Sequence, residues 1–155
     1  MINQNYYVHE TAIVDDSVLI GDNTKIWHYS HVQFGAVIGE SCSIGQNVKI
    51  SNNVHIGHHA TIGAGAVVAS NVPPHALMLG VPAKQVGWVC ECGQVLISDN
   101  SYFYSCPDCG REYVVVDGEL ISASATINNL IISYNNYAWF PKMSINSVGC
   151  TLQQA

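Results

Sequence analysis

Charged residues are scarce in this chain, and their scarcity excludes several kinds of partner. Only 10% of the 155 residues are charged, and the formal net charge at pH 7 is −6. Binding to nucleic acid or to an anionic lipid surface needs a basic field, which this composition does not supply. We therefore expect no nucleic-acid partner.

Long apolar runs and targeting signals are also missing. No run of about 18 apolar residues occurs, so no membrane-spanning helix is predicted. Residues 1–7 lack the positively charged start and the apolar centre of a signal peptide. The sequence therefore predicts a protein without membrane insertion, and the cytoplasm is its expected location.

The apolar residues follow neither the period of a helix nor the alternation of a strand. Instead, a branched aliphatic residue occupies every sixth position over eleven hexads: Val8, Val14, Ile20, Ile26, Val32, Ile38, Ile44, Ile50, Ile56, Ile62 and Val68. A small or β-branched residue follows each by four positions: Ala12, Val18, Thr24, Ser30, Ala36, Cys42, Val48, Val54, Ala60, Ala66 and Val72. A strict six-residue period requires a fold whose own repeat is six residues.

A parallel β-helix satisfies this period. Each hexad supplies one short strand and one corner, three hexads form a triangular coil of about 18 residues, and the aliphatic side chain points into the prism. Glycines that directly follow the aliphatic are expected at corners, where a residue without Cβ is favoured: Gly21, Gly39, Gly45, Gly57 and Gly63. A β-sandwich, the alternative, would show drifting spacing between its strands.

Two features define the extent of the predicted prism. Pro73 and Pro74 are expected to end it after residue 72, because neither imino nitrogen can donate to a strand ladder. Eleven hexads give between three and four coils, which leaves open ends and flat faces. We expect a homotrimer that buries apolar surface which one chain cannot cover.

Four of the six cysteines form two pairs, Cys90 with Cys92 and Cys106 with Cys109, and glycine follows each pair. Clustered cysteines in a reducing compartment bind metal more often than they form disulfides. The second pair has the spacing of a zinc ribbon, whereas the first has one intervening residue where two are usual. The sequence predicts structural zinc on these four thiolates. The alternative is a ribbon packed without metal around four aromatic residues: Trp88, Tyr102, Tyr104 and Tyr113.

These observations divide the chain into three segments. Residues 1–87 are predicted to form the β-helix domain, made up of the prism and a short connector after it, with Cys42 as core filler at an inward position. Residues 88–119 are predicted to form the zinc-ribbon-like segment. Residues 120–155 contain one charged residue, Lys142, follow no hexad phase, and are assigned no function.

Four strings carry a resemblance to a known family: Trp27–Val32, Gly39–Val48, Ala60–Val68 and Gly80–Trp88. They resemble the left-handed β-helix hexapeptide-repeat acetyltransferases. Within that class they resemble the enzymes that acetylate the 3-amino group of UDP-2-acetamido-3-amino-2,3-dideoxyglucuronate for bacterial surface polysaccharide. The resemblance implies an all-β, left-handed prism, with acetyl-CoA and a UDP-amino-sugar as substrates.

The implied reaction, attack of a sugar amine on a thioester, needs an acceptor for the released proton. Histidine suits this task near neutral pH. His28, at a corner, and His31, facing outward, are the candidates, unless both only bond carbonyl groups and the amine arrives neutral. The matching strings imply Glu40 and Asn47 as sugar contacts, although Glu40 also suits a solvated turn.

A pantetheine arm along the prism edge would lie against small residues that leave backbone amides accessible. Gly63, Ala64, Gly65 and Ala66 fit this description, although tight packing of the coils needs them equally. Lys84, in the loop that leaves the prism, is expected to hold a phosphate of CoA as a point charge.

The resemblance breaks between Asn47 and Thr61, where the family has several more hexads and a substrate-contacting loop. The six-residue phase continues across this gap, so the prism stays foldable. Each missing coil would shorten the separation of donor and acceptor pockets by about 4.8 Å, which would impair activity. Two alternatives stay open. One is a non-catalytic trimeric scaffold, and the other is a γ-carbonic-anhydrase-like metalloenzyme using His55, His58 and His59.

Overall fold

The computed structural model describes residues 5–98 and 100–123, together with the backbone of residues 143–146 and 149–152. Eleven two-residue strands follow each other at intervals of six residues: β1 Tyr7–Val8, β2 Ile13–Val14, β3 Leu19–Ile20, β4 Lys25–Ile26, β5 His31–Val32, β6 Val37–Ile38, β7 Ser43–Ile44, β8 Lys49–Ile50, β9 His55–Ile56, β10 Thr61–Ile62 and β11 Val67–Val68. Strands of two to five residues come after them: β12 Ala76–Leu79, β13 Lys84–Trp88, β14 Ile97–Ser98, β15 Phe103–Ser105, β16 Glu112–Val116, β17 Glu119–Ser122, β18 Met143–Asn146 and β19 Gly149–Leu152.

Every third short strand stacks on its predecessor, so the chain winds into a three-sided parallel prism. The first face contains β1, β4, β7, β10, β12 and β13; the second contains β2, β5, β8 and β11; the third contains β3, β6 and β9. Pairs such as Ile26 with Ile44 lie 18 residues apart in sequence. The predicted parallel β-helix is therefore confirmed.

The core of the prism is the predicted double row of inward side chains. Ile26, Val32 and Ile44 are fully buried, as are the small residues Ala36 and Ala60. Residues between Val8 and Ile20 are only partly buried, because no coil covers that end of the prism. The hexad period alone therefore locates the core.

The corners differ from the sequence prediction in position. The residue three places after the inward aliphatic, and not the glycine directly after it, has a left-handed backbone, with φ between 55° and 74°. Nine successive hexads share this conformation: Ser17, Asn23, Tyr29, Gly35, Ser41, Asn47, Asn53, His59 and Gly65. Asparagine and glycine tolerate left-handed φ best, which explains the asparagines at this position.

The glycines directly after the aliphatic serve close stacking of coils, so the prediction that they form corners was wrong. A Cβ on Gly39 would lie 2.7 Å from the backbone nitrogen of His58 in the next coil, and one on Gly45 would lie 2.8 Å from that of Ala64. Gly21 and Gly57 face the next coil in the same way. Backbone proximity, not backbone dihedral angle, requires glycine here.

Pro73 and Pro74 do not end the prism, contrary to the prediction. After them β12 adds a further parallel strand to the first face, where Ile62 pairs with Met78. That step is 16 residues instead of 18, so the last coil is two residues shorter than those before it. β13 then closes the face as an antiparallel partner of β12.

The cysteine-rich segment forms its own antiparallel sheet in the order β14, β15, β16, β17. A second small core supports it, formed by Trp88, Cys90, Leu96, Cys106 and Tyr113. Its last strand continues to Ser122. Of the segment 120–155, residues 124–142, 147–148 and 153–155 lie outside the described residues, and 143–146 and 149–152 form a hairpin of β18 and β19.

Candidate functional site

His31 lies on the outer surface of the second face, where it meets a carboxylate that sequence reasoning missed. Its Nε2 lies 2.9 Å from Oδ1 of Asp15, one coil earlier, and the two side chains are 39% and 35% exposed. Because the carboxylate accepts, His31 donates from Nε2 and keeps the lone pair on Nδ1. A general base needs this arrangement of an oriented ring with one basic nitrogen.

His28, the other histidine predicted to accept a proton, lies at the corner between the first and second faces. Its ring lies against that of His9, with centroids 3.5 Å apart and planes tilted by 30°, and Trp27 flanks it with nearly parallel planes. The Nδ1 atom of His28 is buried and has no hydrogen-bond partner within the described part of the chain. A buried ring nitrogen without a partner is costly, and a ligand's donor or acceptor would remove that cost.

Thr11, in the same coil, holds the His9 ring in place. The His9 Nδ1 accepts a hydrogen bond from the backbone nitrogen of Thr11 at 3.2 Å and lies 2.9 Å from its hydroxyl oxygen. That hydroxyl also accepts from the backbone nitrogen of Tyr29 at 3.0 Å. Thr11 therefore links the His9 ring to the backbone of the next coil.

The predicted sugar contacts Asn47 and Glu40 lie on different edges of the prism. Asn47 lies directly beyond His28, since its backbone nitrogen donates to the His28 carbonyl at 2.9 Å. Glu40 lies at the corner between the third and first faces, where its carbonyl accepts from the backbone nitrogen of His59. Within one chain these two side chains do not share a site.

The residues predicted to bind the cofactor continue the column of His28 and Asn47 by one more coil. The backbone nitrogens of Gly63, Gly65 and Ala66 already donate to carbonyl groups within the prism, and Ala66 is fully buried. The space beside Gly63 is filled by the side chain of Leu79. Lys84 begins β13 and is exposed. Their role in cofactor binding stays a prediction.

The four clustered cysteines converge in the ribbon. Their sulfurs all lie within 4.8 Å of one another, with 3.5 Å between Cys90 and Cys109 and 3.5 Å between Cys92 and Cys106. Sulfurs that share one tetrahedral zinc at 2.3 Å would lie about 3.8 Å apart. The short spacing of the first pair therefore does not prevent convergence, and the four residues fit a structural zinc.

Local groups lower the pKa of two of these thiols, Cys90 and Cys106, whereas the pKa of Cys92 is raised, because the Gln94 backbone N–H is outweighed by burial and the neighbouring cysteines. Burial opposes ionisation of Cys90, but the Cys92 backbone N–H and the Tyr113 hydroxyl, 3.2 Å from its sulfur, outweigh burial and lower its pKa to about 6. The backbone N–H of Cys109 lowers the pKa of Cys106. Zinc bound here would organise the ribbon, and four thiolates leave no open position for catalysis.

A second cluster of metal-ligating side chains joins three histidines: His58, His59 and His75. Their ring nitrogens lie within 4.8 Å of one another. Burial lowers the pKa of His75 and of His59, and neighbouring histidines of the cluster lower both further. His55, expected beside His58 and His59, instead begins β9 and is exposed on the third face. The predicted histidine trio is therefore wrong in one member.

Comparison with known proteins identifies the repeats. The family model described as bacterial transferase hexapeptide, six repeats, matches residues 17–51 and 35–70. Hexapeptide repeats of this family therefore cover residues 17–70, within the β-helix. No curated protein matches the chain. No helix among the described residues is long and apolar enough to cross a membrane.

Several solved structures resemble the chain over about half of its length. Serine acetyltransferase from Neisseria gonorrhoeae in complex with serine is 31% identical, with 54% of this chain and 40% of that chain covered and a TM-score of 0.43. A hexapeptide-repeat acetyltransferase from Vibrio cholerae is 20% identical, with 55% and 71% covered and a TM-score of 0.49. The acetyltransferase domain of PglB from Neisseria gonorrhoeae is 21% identical, with 51% and 56% covered and a TM-score of 0.34. The chain spans less than half of the serine acetyltransferase that it matches.

Proposed function

We propose that this protein is an acetyl-CoA-dependent N-acetyltransferase. The observation that carries the proposal is the pair of His31 and Asp15 on the outside of a prism built from bacterial transferase hexapeptide repeats. A carboxylate-oriented imidazole is a suitable general base for removing a proton from an attacking amine.

In the proposed reaction, the amine nitrogen of the acceptor attacks the carbonyl carbon of the acetyl thioester. A C–N bond forms, the C–S bond breaks, and CoA leaves as its thiol. His31 accepts the ammonium proton at Nδ1 and returns a proton to the departing sulfur. Asp15 holds the ring by Nε2 and stabilises the imidazolium that forms between the two transfers.

For the cofactor, we propose the column that runs along the edge between the first and second faces. It begins with His9 and His28 and ends with the small residues Gly63 to Ala66, so a long, thin ligand could follow it. Lys84 would pair with a phosphate of CoA. The unpartnered Nδ1 of His28 lies buried within this column, and a bound ligand would contact it only after the His28 ring turns.

For the acceptor, we propose a UDP-amino-sugar with a free 3-amino group, on the strength of the resemblance of the four strings named above. Asn47 and Glu40 would contact the sugar. Because they lie on different edges of one chain, the proposal requires the Glu40 of one protomer to face the Asn47 of the next. A homotrimer provides this meeting of unlike edges, and exposed apolar side chains such as Ile13, Leu19 and Phe34 would become buried in it.

The prism has fewer hexads than the family that the sequence resembles, so the rate of acetyl transfer is the quantity most affected. We expect acetyl-CoA to bind and the acetyl transfer to be slow, because loss of a coil moves donor and acceptor sites by about 4.8 Å. The test is calorimetric titration of the trimer with acetyl-CoA, followed by measurement of CoA release with the UDP-3-amino-sugar. Saturable binding that weakens in Lys84→Ala and Gly65→Trp supports the proposal. A folded trimer that does not bind acetyl-CoA refutes it and favours a non-catalytic scaffold.

A further inference from the structure

The corner between the third and first faces contains three histidines that the proposed acetyl transfer does not use. We propose that His58, His59 and His75 of one chain bind a divalent transition-metal ion of the Zn²⁺ class, with a further coordination position open to solvent. The site is separate from the four-cysteine site, and the ion would be held by imidazole nitrogens alone.

The distances between ring nitrogens suit a shared ion. All three ligand nitrogens lie within 4.8 Å of one another, and Nδ1 of His58 is 2.9 Å from Nδ1 of His59. Two imidazole nitrogens bound to one tetrahedral Zn²⁺ at 2.0–2.1 Å lie about 3.3 Å apart. Coordination of one ion would require the widest of these separations to shorten by up to about 1.5 Å and the rings of His59 and His75 to turn toward the ion.

The hydrogen bond of His75 selects the tautomer that a metal needs. Its Nδ1 lies 2.9 Å from the carbonyl oxygen of Val89, which can only accept, so Nδ1 carries the proton and Nε2 carries the lone pair. Histidines that bind metal almost always donate their other ring N–H to a carbonyl or carboxylate in this way. His75 is 6% exposed, and its orientation is therefore fixed by packing as well as by this bond.

The backbone explains why the rings meet. His59 and His75 occupy the same left-handed corner position in successive coils, with φ of 57° and 62°. Their rings consequently stack in parallel, 5.0 Å between centroids and 4° between planes. The adjacent His58 enters from the side, nearly perpendicular to both. Successive coils thus act as a rigid frame for the three ligands.

The ligand chemistry defines the class of ion. Three neutral imidazoles favour Zn²⁺, Cu²⁺, Ni²⁺ or Co²⁺ over Mg²⁺ and Ca²⁺, which prefer oxygen. His58 is exposed and His75 is buried, so the ion would lie at the surface with water on its outer side. Three protein ligands with an open position distinguish this site from the closed four-thiolate site.

The test is metal stoichiometry of the full-length, tag-free protein. The protein is equilibrated with Zn²⁺, and loosely bound metal is removed by gel filtration. The zinc that stays bound is measured by elemental mass spectrometry, and its affinity is measured by titration. His59→Asn removes one ligand while keeping a residue suited to left-handed φ, because Asn23 occupies the same corner two coils earlier. His55→Asn is the matched control, because His55 is exposed on the neighbouring strand and outside the cluster.

We expect the wild type and His55→Asn to bind one more Zn²⁺ per chain than His59→Asn does. The affinity for that ion should fall by at least 100-fold in His59→Asn, and in His75→Asn as a second variant. The four-cysteine equivalent should be unchanged in all three variants. Equal stoichiometry and affinity in the wild type and in His59→Asn would overturn the proposal, as would an equal loss in His55→Asn.

Discussion

Asp15 accepts a hydrogen bond from His31 at 2.9 Å across two adjacent coils of the second face. The two residues lie 16 positions apart in sequence, and only the winding of the prism brings them together. Both side chains are about one-third exposed, so the pair contributes little to folding, under about 1 kcal/mol. Its value to the protein would be the orientation of the imidazole.

Replacing Asp15 with asparagine is therefore expected to impair acetyl transfer without unfolding the prism. The amide keeps the size of the side chain but no longer stabilises the imidazolium, and kcat should fall on the order of 10- to 100-fold. The measurement is CoA release at saturating acetyl-CoA, with thermal unfolding recorded in parallel. Asp16→Asn is the matched control, since Asp16 is adjacent and exposed. Equal losses in both variants would show that His31 does not depend on Asp15.

The four-cysteine site should control the stability of the ribbon alone. Cys106→Ser removes a ligand from the small core that contains Trp88 and Tyr113, and we expect loss of one tightly bound Zn²⁺ per chain and unfolding of β14 to β17. The β-helix should keep its own unfolding transition, because its core is a separate cluster. Metal content and hydrogen exchange measure the two effects. Cys42→Ser, in the other core, should leave the zinc content unchanged.

Much of the fold could be predicted from the sequence because one period determines it. Every inward residue from Ile26 to Val68 is at the position that the hexad count assigns. The corner conformation was missed, although the sequence contains a signal for it: Asn23, Asn47 and Asn53 recur at the left-handed position. A glycine in this fold can be required either by close stacking of coils or by a left-handed φ, and the sequence alone does not distinguish the two causes.

The candidate sites were harder to predict because they depend on which coils become neighbours. His75 joins His58 and His59 because the last coil is two residues short, and an 18-residue count would have placed Leu77 beside His59. The pairing of Asp15 with His31 could not be predicted, because it depends on the angle at which outward side chains of adjacent coils meet. The convergence of the four cysteines was predictable from their pairing, since each pair lies in one tight turn.

Glycine substitutions separate the two roles that glycine has in the prism. Gly39→Ala puts a Cβ 2.7 Å from the His58 backbone nitrogen, so the coils must separate, and we expect destabilisation by roughly 2–4 kcal/mol. Gly65→Asn should cost less than about 1 kcal/mol, because Gly65 has φ of 74°, nothing lies near its missing Cβ, and asparagine occupies the equivalent corner at Asn47. Urea unfolding measures both. A larger loss for Gly65→Asn would contradict this division of roles.

The buried thiol of Cys42 should make the prism sensitive to alkaline pH. Burial raises its pKa from 9.0 to about 11, although the backbone N–H groups of Ala60 and His59 and the hydroxyl of Thr24 act in the opposite direction. The folded state therefore binds the proton more tightly than the unfolded state does, so stability is fully present below pH 9 and is lost as pH rises from about 9 to about 11. The loss attributable to this thiol should approach roughly 2–3 kcal/mol.

Cys42→Ser isolates that contribution from the tyrosines and lysines that titrate in the same range. Serine suits the position, because Ser30 occupies the same inward place in another hexad and donates to the carbonyl oxygen of Gly45 at 2.7 Å. Cys42 makes the corresponding contact with Gly57 through its sulfur at 3.1 Å. The difference in unfolding free energy between wild type and Cys42→Ser should therefore be constant up to about pH 9 and then move in favour of the variant. A constant difference up to pH 11 would mean that the thiol ionises without opening the core.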